Sequence, residues 1–323
     1  MQVLDKAATG FIGNATRSIE CLYLNMTTPV ERKVSALFTR VITTLFNVVL
    51  SVISTAAALV IGVPTFIFST KNGFYQFSGK GKENGEFGRV IKVASWNING
   101  IPFNQVCDKT APFYSRVQGI VSLLNGYDVI MLQEAFGDSA YMILKFSNLF
   151  SKAFGRSGIQ VMGLDSGQLC LTTLKAVNFQ YIEFNHGSNT ISRGFSVLES
   201  DSTVFIQTHL ASGATNKEIR KLQMEQIKAF VESQSKRCIV MGDMNIGENR
   251  EKEILNLGLD SFDLYGSKET CWDEGKQLVG HDLMMVVKGK FLEVEFSEKG
   301  DMPINSDHKL LSLQYTSNPR SPL

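Results

Sequence analysis

The stretch DVIMLQE at residues 128–134 is a continuous apolar run that ends in a carboxylate. Hydrophobicity without alternation over residues 129–132 predicts a strand that is covered on both faces. A carboxylate at the end of such a strand needs a partner, because removing it from water alone is very costly. Mg²⁺ prefers oxygen ligands and is often held by only one or two carboxylates. Glu134 is therefore a candidate metal ligand, and the alternative for this residue alone is a solvated strand end.

Four further strings place polar side chains at the end of an apolar run in the same way. They are WNING at 96–100, THL at 208–210, GDMN at 242–245 and SDH at 306–308. If these runs are strands whose ends meet, their polar residues collect oxygen ligands and bases at one rim. Such a rim suits a divalent metal ion and a phosphate ester.

Three residues of these strings are candidates for contacts with metal or phosphate. Asn97 lies within an apolar run and can complete a metal shell through its amide oxygen. Asp243 and Asn245 are two residues apart, so an extended chain points both side chains to the same face. One of them can then orient a water molecule as a base while the other donates to the phosphate. The alternative for this pair is an Asx-turn after a strand.

The chain contains four histidines, at positions 186, 209, 281 and 308. Imidazole titrates near neutrality and therefore suits general acid–base catalysis. His209 ends an apolar run, His308 follows Asp307, and Asp282 is the candidate carboxylate that holds one imidazole in a single tautomer. Taken singly, each histidine is better explained as a core or capping residue. Five complementary strings in this order nevertheless favour a site.

Strand-like runs and helical patterns alternate over the larger part of the chain. The helical patterns cover Pro112–Leu124, Ala140–Phe150, Asn216–Ser233 and Glu251–Leu257. The strand-like runs are Val90–Ile98, Val129–Gln133, Ile159–Met162, Leu169–Thr173, Phe195–Leu198, Thr203–Thr208, Arg237–Met241, Asp282–Val287 and Leu310–Gln314. Together they predict an α/β domain over residues 90–316, a four-layer α/β sandwich with two mixed β-sheets face to face and helices outside.

A hydrophobic segment precedes this domain. Residues 41–70 contain no Asp, Glu, Lys or Arg, and a membrane-spanning helix needs about 20 such residues. The segment is predicted to be a transmembrane or re-entrant helical anchor that makes the protein membrane-associated, and the alternative is a buried helix pair. Residues 1–40 form an N-terminal segment before it, 71–89 a linker rich in Gly, Lys and Glu, and 317–323 a tail. Flanking charges do not indicate an orientation.

The bulk composition narrows the classes of function. The formal net charge is +1 over 323 residues, which weakens nucleic acid as a partner without excluding a local basic patch. The five cysteines are dispersed and show no CxxC spacing. They therefore indicate neither a disulfide framework nor a zinc site, and most are expected to be buried apolar residues.

The strings SWNING, DVIMLQE, THLAS, MGDMN, HDLMMV and SDHKLL together resemble the endonuclease/exonuclease/phosphatase superfamily of DNase I-like, metal-dependent phosphoesterases. The resemblance implies a four-layer α/β sandwich and dependence on Mg²⁺, as one or two ions. By motif position it implies that the metal site contains Glu134, Asn97 and Asp307. It implies catalytic roles for the other matched residues, which are His308, His209, Asp243, Asn245 and Asp282. The neighbours of Asp282 are His and Leu, where the family commonly has Leu and Tyr.

Within that superfamily the chain is most similar to neutral sphingomyelinases. The similarity lies in LQEAF at 132–136, in the stretch 165–169 and in RGF at 193–195. The Arg-x-Asp-Tyr string of abasic-site endonucleases and the W-C-D-R string of inositol-polyphosphate phosphatases are absent from the sequence. The resemblance implies a phospholipid or sphingolipid substrate whose phosphorylated headgroup is released. A hydrophobic anchor also favours a membrane substrate, since it holds the site at high effective concentration.

Other functions stay open on the sequence alone. A metal-dependent nuclease and a phosphoinositide phosphatase are the alternatives within the same superfamily. An inactive membrane-bound scaffold is the alternative from another class, and the sequence does not indicate an oligomeric state. If the headgroup is choline, an aromatic wall would suit it. The candidates for that wall are Phe103, Phe113, Tyr114, Tyr141 and Trp272.

Overall fold

The computed structural model of the chain describes residue 49 and the ranges 74–101, 113–156, 166–186, 193–246, 250–267, 269–273, 277–289, 293–299 and 305–317. The predicted segments 1–40 and 41–70, the predicted strand Ile159–Met162 and the tail beyond residue 317 lie outside these ranges, apart from residue 49. Within the described ranges, no helix is both long and apolar enough to cross a membrane.

The described chain contains fifteen strands and four α-helices. The strands are β1 (Phe74–Ser78), β2 (Val90–Asn97), β3 (Val129–Gln133), β4 (Lys152–Arg156), β5 (Leu169–Thr172), β6 (Asn178–Glu183), β7 (Gly194–Glu199), β8 (Thr203–His209), β9 (Arg237–Asp243), β10 (Phe262–Tyr265), β11 (Cys271–Asp273), β12 (Gln277–Val279), β13 (Asp282–Val287), β14 (Val294–Lys299) and β15 (Leu310–Thr316). The α-helices are α1 (Phe113–Leu123), α2 (Gly137–Phe146), α3 (Lys217–Glu232) and α4 (Arg250–Asn256).

Two mixed sheets contain most of the strands. The first has the order β1-β4-β5-β3-β2-β15-β14, and the second has the order β10-β13-β9-β8-β7-β6. Strands β2 and β3 are parallel, as are β8 and β9, whereas the other neighbours in these sheets are antiparallel. Because parallel neighbours end at the same edge, each sheet brings two strand ends together.

Three apolar layers hold the sandwich together. The middle layer packs residues from both sheets, such as Val93 of β2 and Met241 of β9. A second layer covers the other face of the first sheet with α1 and α2, and includes Trp96. A third layer packs α3 and α4 on the second sheet, and includes Ile227. The predicted α/β sandwich with two mixed sheets and outer helices is confirmed.

The folded domain begins earlier than the sequence pattern predicts. Within the predicted linker 71–89, residues 74–78 form edge strand β1, which pairs with β4. Glu86 is buried and accepts hydrogen bonds from the backbone N–H and the hydroxyl of Ser202, at 3.0 and 2.7 Å. Glycines and lysines flank this short strand, so its apolar residues do not stand out in the sequence.

The buried face of helix α3 includes an arginine, Arg220, as well as apolar residues such as Ile227. Leu222 is 39% exposed, whereas Arg220 is 1% exposed. The Arg220 guanidinium pairs with Glu253 of α4 at 3.0 Å and donates to the carbonyls of Ala211 and Gly213 at 3.0 and 2.8 Å. This buried cation therefore fixes the loop that follows β8, where the polar strand ends lie.

Gly242 of β9 allows the two parallel strands β8 and β9 to approach closely. Its φ is +141°, and a Cβ at this position would lie 1.9 Å from the carbonyl oxygen of Thr208. We expect Gly242→Ala to lower the free energy of unfolding by about 3 kcal/mol, measured by urea denaturation. Gly85→Ala is the control, because an added Cβ meets nothing within 4 Å there. Equal midpoints for both variants would contradict this account.

Candidate active site

The central parallel pairs place four strand ends at one rim of the sandwich. Asn97 ends β2 opposite Gln133 of β3, and His209 ends β8 opposite Asp243 of β9. Asp282 begins β13 opposite Asp243, because β13 runs antiparallel to β9. The Asn97 amide Nδ2 donates to Asp243 Oδ2 at 3.0 Å and so connects the two sheets. The polar strand ends therefore meet across the apolar layer between the sheets.

Asp243 lies at the centre of this cluster. Its Oδ2 atom is 3.5 Å from Nε2 of His209 and 3.9 Å from Nε2 of His308, and its Oδ1 accepts the backbone N–H of Asn245 at 2.8 Å. Burial alone would raise the pKa of Asp243, but the facing imidazoles of His209 and His308 hold that pKa well below its usual range. Asp243 is therefore ionised across the physiological pH range.

His308 and Asp282 form a buried pair. The Nδ1 atom of His308 lies 2.8 Å from Oδ2 of Asp282, and the backbone N–H of Asp282 is fixed by the hydroxyl of Thr270 at 3.0 Å. Burial favours the neutral imidazole, but the Asp282 carboxylate raises the pKa of His308 well above its usual value. The pair leaves Nε2 of His308 facing Asp243 and the Oδ1 atom of Asp307, which is 4.0 Å away.

Backbone contacts hold His308 in this position. The indole N–H of Trp96 donates to the His308 carbonyl at 2.8 Å. The Ser306 hydroxyl donates to the carbonyl of Asn97 at 2.7 Å and accepts the N–H of His308 at 3.1 Å. The end of β2 thus positions the loop that contains His308.

Glu134 lies in an environment that favours its neutral form. Burial, followed by the charge of Asp307, raises its pKa from 4.5 to about 7. Asp243 adds to this repulsion, and Asn97 and His308 offset it only in part. Carboxylates that repel one another at a buried rim fit a divalent cation, which would relieve the repulsion.

Two sets of donors in the described chain could hold that cation. Glu134, Asp307 and Asn97 provide oxygen atoms. The Oδ1 atom of Asn97 accepts the backbone N–H of Asn99 at 3.0 Å and retains a second lone pair. In the other set, Asp243, Asp282 and His308 offer ligand atoms that all lie within 4.8 Å of one another. The oxygen-rich set is the better match for Mg²⁺.

Three polar residues beside the site have left-handed backbone. Asn99, Glu134 and Asn245 have φ values of 46°, 55° and 49°, and they are the non-glycine residues with positive φ in the described chain. Each one follows the end of a central strand. Such conformations cost roughly 1–3 kcal/mol each and concentrate at functional sites. Their clustering here is a structural sign of function that no sequence motif contains.

The structure adds residues that the sequence does not assign to the site. Arg193 donates to the carbonyls of His209 and Leu210 at 3.0 and 2.7 Å, and burial lowers its pKa. Cys271 Sγ is 3.3 Å from Nε2 of His308. The ring of His281 lies 6.2 Å from that of His308. RGF at 193–195 and the position of His281 beside Asp282 were the available signals, and nothing in the sequence points to Cys271.

The last candidates from the sequence are Asn245 and the aromatic residues proposed to line a headgroup site. The Nδ2 atom of Asn245 donates to the Leu210 carbonyl at 3.0 Å, so one of its two amide hydrogens is already used. Among the aromatic candidates, Phe113 is a core residue, whereas Tyr141 on α2 is 52% exposed. Phe103 and the side chain of Trp272 lie outside the described part of the chain.

Mg²⁺ affinity should fall as the pH drops below neutrality. The pKa of Glu134 is raised to about 7, so a metal must displace its proton below that pH. The apparent Kd should rise about tenfold for each pH unit below 7, since a carboxylate ligand binds in its ionised form. Isothermal titration calorimetry across this range measures it. An affinity independent of pH would mean that Glu134 does not bind the ion.

Comparison with known proteins agrees with this fold. A sandwich of two mixed sheets, with carboxylates, amides and imidazoles at one rim, defines the class of metal-dependent phosphoesterases and nucleases. The family model described as Endonuclease/Exonuclease/phosphatase family matches residues 94–274, more than half of the chain. The chain belongs to this family. No curated protein matches it significantly in sequence.

Solved structures share the fold at low sequence identity. Truncated TDP2 of Caenorhabditis elegans is 18% identical with a TM-score of 0.54, covering 71% of this chain and 98% of that one. Beta toxin of Staphylococcus aureus is 17% identical with a TM-score of 0.55, covering 70% and 99%. Sphingomyelinase C of Streptomyces griseocarneus is 17% identical with a TM-score of 0.52, covering 71% and 100%.

Proposed function

We propose that this chain is a membrane-associated, Mg²⁺-dependent phosphodiesterase that hydrolyses sphingomyelin or a related phospholipid and releases the phosphorylated headgroup. The observation that carries the proposal is the buried cluster in which His308 pairs with Asp282 beside the ionised Asp243. An imidazole held by a carboxylate is suited to activate water, and the neighbouring acidic residues are suited to a cation.

Each residue of the cluster has a separate role in an in-line attack by water on the phosphodiester. His308, oriented by Asp282, takes the proton from the attacking water at Nε2, and Asp243 orients that water. Burial and the Arg193 charge lower the pKa of His209 to about 3, so His209 acts as a neutral N–H donor to a phosphoryl oxygen. Asn245 donates its second amide hydrogen to the phosphate.

Glu134, Asn97 and Asp307 are the residues that would hold Mg²⁺. When bound there, Mg²⁺ neutralises phosphate charge and stabilises the leaving oxygen. Support for the metal comes from the repulsion among the carboxylates at the rim and from a variant of the Staphylococcus aureus beta toxin whose structure contains magnesium ions.

Support for a lipid substrate comes from several directions. The LQEAF and RGF strings resemble neutral sphingomyelinases, and a sphingomyelinase C shares the fold. Two arginines beside the site donate hydrogen bonds to backbone carbonyls instead of facing solvent as phosphate ligands. Arg116 donates to the carbonyls of Ile98 and Asn99, and Arg193 donates to those of His209 and Leu210. The formal net charge of +1 weakens nucleic acid as a substrate, because proteins that bind nucleic acids usually have a strongly basic surface. The hydrophobic segment 41–70 would place the site at a membrane.

The test is phosphocholine release from sphingomyelin vesicles by the full chain with Mg²⁺, repeated with a chelator and with His308→Ala. We expect release that needs Mg²⁺ and is lost in the variant. No release by a folded protein that binds Mg²⁺ would reject this substrate. Hydrolysis of phosphoinositides or cleavage of DNA by the same preparation would then support one of the alternative enzymes. A folded protein that neither hydrolyses these substrates nor binds Mg²⁺ would support the inactive scaffold.

A further inference from the structure

The first strand of the domain begins at the same end of the sandwich as the candidate active site. Phe74, the first residue of β1, pairs with Arg156, the last residue of β4. The sheet continues from β4 through β5 to β3, and Gly155 lies in the same row as Leu132 of β3. Phe74 is therefore level with Gln133, where β3 ends and the polar rim begins.

The chain that follows β1 is fixed along the edge of the domain. The backbone N–H groups of Gly79 and Asn84 donate to the carbonyls of Ser151 and Thr173, each at 2.8 Å. Glu86 is then buried at the opposite end of the sandwich, beside the start of β8. The chain therefore runs from the rim to the far end in contact with the domain, and it leaves no flexible linker after β1.

The connection between β1 and the uncharged segment 41–70 is very short. It consists of residues 71–73, which read Lys-Asn-Gly. Because a chain spans at most about 3.6 Å per residue, the end of the segment lies within about 14 Å of the start of β1. The eight residues of β2 are about 26 Å long at about 3.3 Å per residue. The connection is therefore too short to bring the end of the segment to the opposite end of the sandwich.

The end of the segment is also close to the site in the plane of the first sheet. Strands β4 and β5 lie between β1 and β3, so strand spacings of about 4.8 Å put the start of β1 about 14 Å from the end of β3. With the reach of residues 71–73 added, the end of the segment lies within roughly 30 Å of Glu134. A bilayer that contains the segment would therefore lie beside the rim.

Exposed apolar side chains at the rim agree with such a contact. Ile101 follows the end of β2 and is 36% exposed, and Tyr141 in the first half of α2 is also exposed. The Ser139 hydroxyl donates to the carbonyl of Gly100 at 3.1 Å, so the two segments touch. Phe87, just before β2 at the opposite end, is 52% exposed. Apolar exposure alone therefore selects neither end, whereas the short connection to the segment selects the rim.

We propose that the rim of the first sheet is the face that lies against a lipid bilayer, and that segment 41–70, inserted in that bilayer, holds it there. The active site then opens towards the membrane surface. The inference rests on the membrane association in the proposed function, but not on the substrate. Because the connection has three residues, the rim stays at the surface without a second attachment.

Tryptophan fluorescence reports this orientation without turnover. The full chain with Ile101→Trp or Phe87→Trp is reconstituted, with a chelator, in phosphatidylcholine vesicles that carry spin-labelled headgroups in both leaflets. The fluorescence of the unmodified chain is subtracted. We expect the spin label to quench Ile101→Trp more strongly than Phe87→Trp. Circular dichroism checks folding, and Tyr141→Trp replaces the Ile101 variant if that one unfolds.

A longer connection tests whether the segment is what holds the rim. An insert of about 20 Gly and Ser residues between Asn72 and Gly73 adds a reach of about 25 Å, which lets the domain turn away from the bilayer. Quenching of Ile101→Trp should then fall to the level of Phe87→Trp. The matched control places the same insert between residues 40 and 41, where it leaves the connection unchanged, and quenching should not change.

Each outcome supports or overturns the proposal. Equal quenching of the two variants, or stronger quenching of Phe87→Trp, overturns it. Extraction of the chain from the vesicles by alkaline carbonate overturns it as well, because the segment is then not inserted. Quenching that the insert at residue 72 leaves unchanged overturns the role of the segment. If quenching follows the expected pattern but sphingomyelin is not hydrolysed, the proposed substrate fails and the orientation stands.

Discussion

Glu134→Gln should abolish Mg²⁺-dependent turnover and at the same time make the metal-free protein more stable. Loss of a charged ligand at the transferring phosphate should lower kcat by about 10²–10³-fold or more. The amide keeps the shape of the side chain but removes the negative charge that Asp307 and Asp243 repel. Activity and stability therefore move in opposite directions, which damage to the fold would not produce.

The sign of the stability change follows from the pKa shift. The pKa of Glu134 is raised from 4.5 to about 7 in the folded state, so folding favours the protonated carboxyl. The free energy of unfolding therefore falls as the pH rises from the pKa of Glu134 in the unfolded chain to its pKa in the folded protein. At higher pH the free energy of unfolding stays at this lower value. Glutamine removes a penalty on the order of 1–3 kcal/mol at alkaline pH. Below the unfolded pKa the two proteins should be equally stable.

Thermal unfolding at alkaline pH with a chelator measures this effect. The midpoint of Glu134→Gln should exceed that of the unmodified chain, and added Mg²⁺ should raise only the midpoint of the latter. Glu225→Gln is a matched control, because Glu225 is exposed on α3. A lower midpoint for metal-free Glu134→Gln would show that this carboxylate supports the fold rather than a cation.

Buried central strands were the most predictable part of the fold. Strand β3 has the predicted bounds because residues 129–133 are buried on both faces and read as one apolar run. Edge strands were missed. In β14, residues 294–299 alternate between half-buried and exposed, and two glutamates among them hide the strand in a polar sequence. Strand β1 depends on pairing with β4, residues 152–156, a distant contact that no local pattern contains.

The site was predictable where chemistry and strand ends coincide. Asn97, His209 and Asp243 end strands, so topology alone brings them to one rim. The contact of Cys271 with His308 joins residues 37 positions apart through a short bridge outside the main sheets. Neither its register nor the left-handed backbone of Glu134 follows from composition or periodicity. The part of the site that the sequence does not predict is therefore the local backbone geometry around Cys271 and Glu134.

Asp282→Asn should move the pH dependence of catalysis as well as lower its rate. The Asp282 carboxylate raises the pKa of His308, and the imidazole can take a proton from water only when it is neutral. The acid limb of kcat/KM therefore reports the pKa of this pair in the free enzyme. Asparagine removes the negative charge, so that pKa falls and the acid limb shifts to lower pH. The rate falls as well, because the amide no longer holds the correct tautomer.

His308→Ala gives the loss of kcat against which the Asp282 variant and the double variant are compared. Loss of the base should lower kcat by about 10²–10⁴-fold. Residues that act as one unit are not additive, so the double variant His308→Ala/Asp282→Asn should be no slower than His308→Ala. Asp263→Asn, at an exposed position of β10, is the matched control and should change neither rate nor profile. A slower Asp282→Asn enzyme with an unmoved acid limb would mean that Asp282 only supports the packing of the rim. Additive losses in the double variant would likewise separate Asp282 from the chemistry at Nε2.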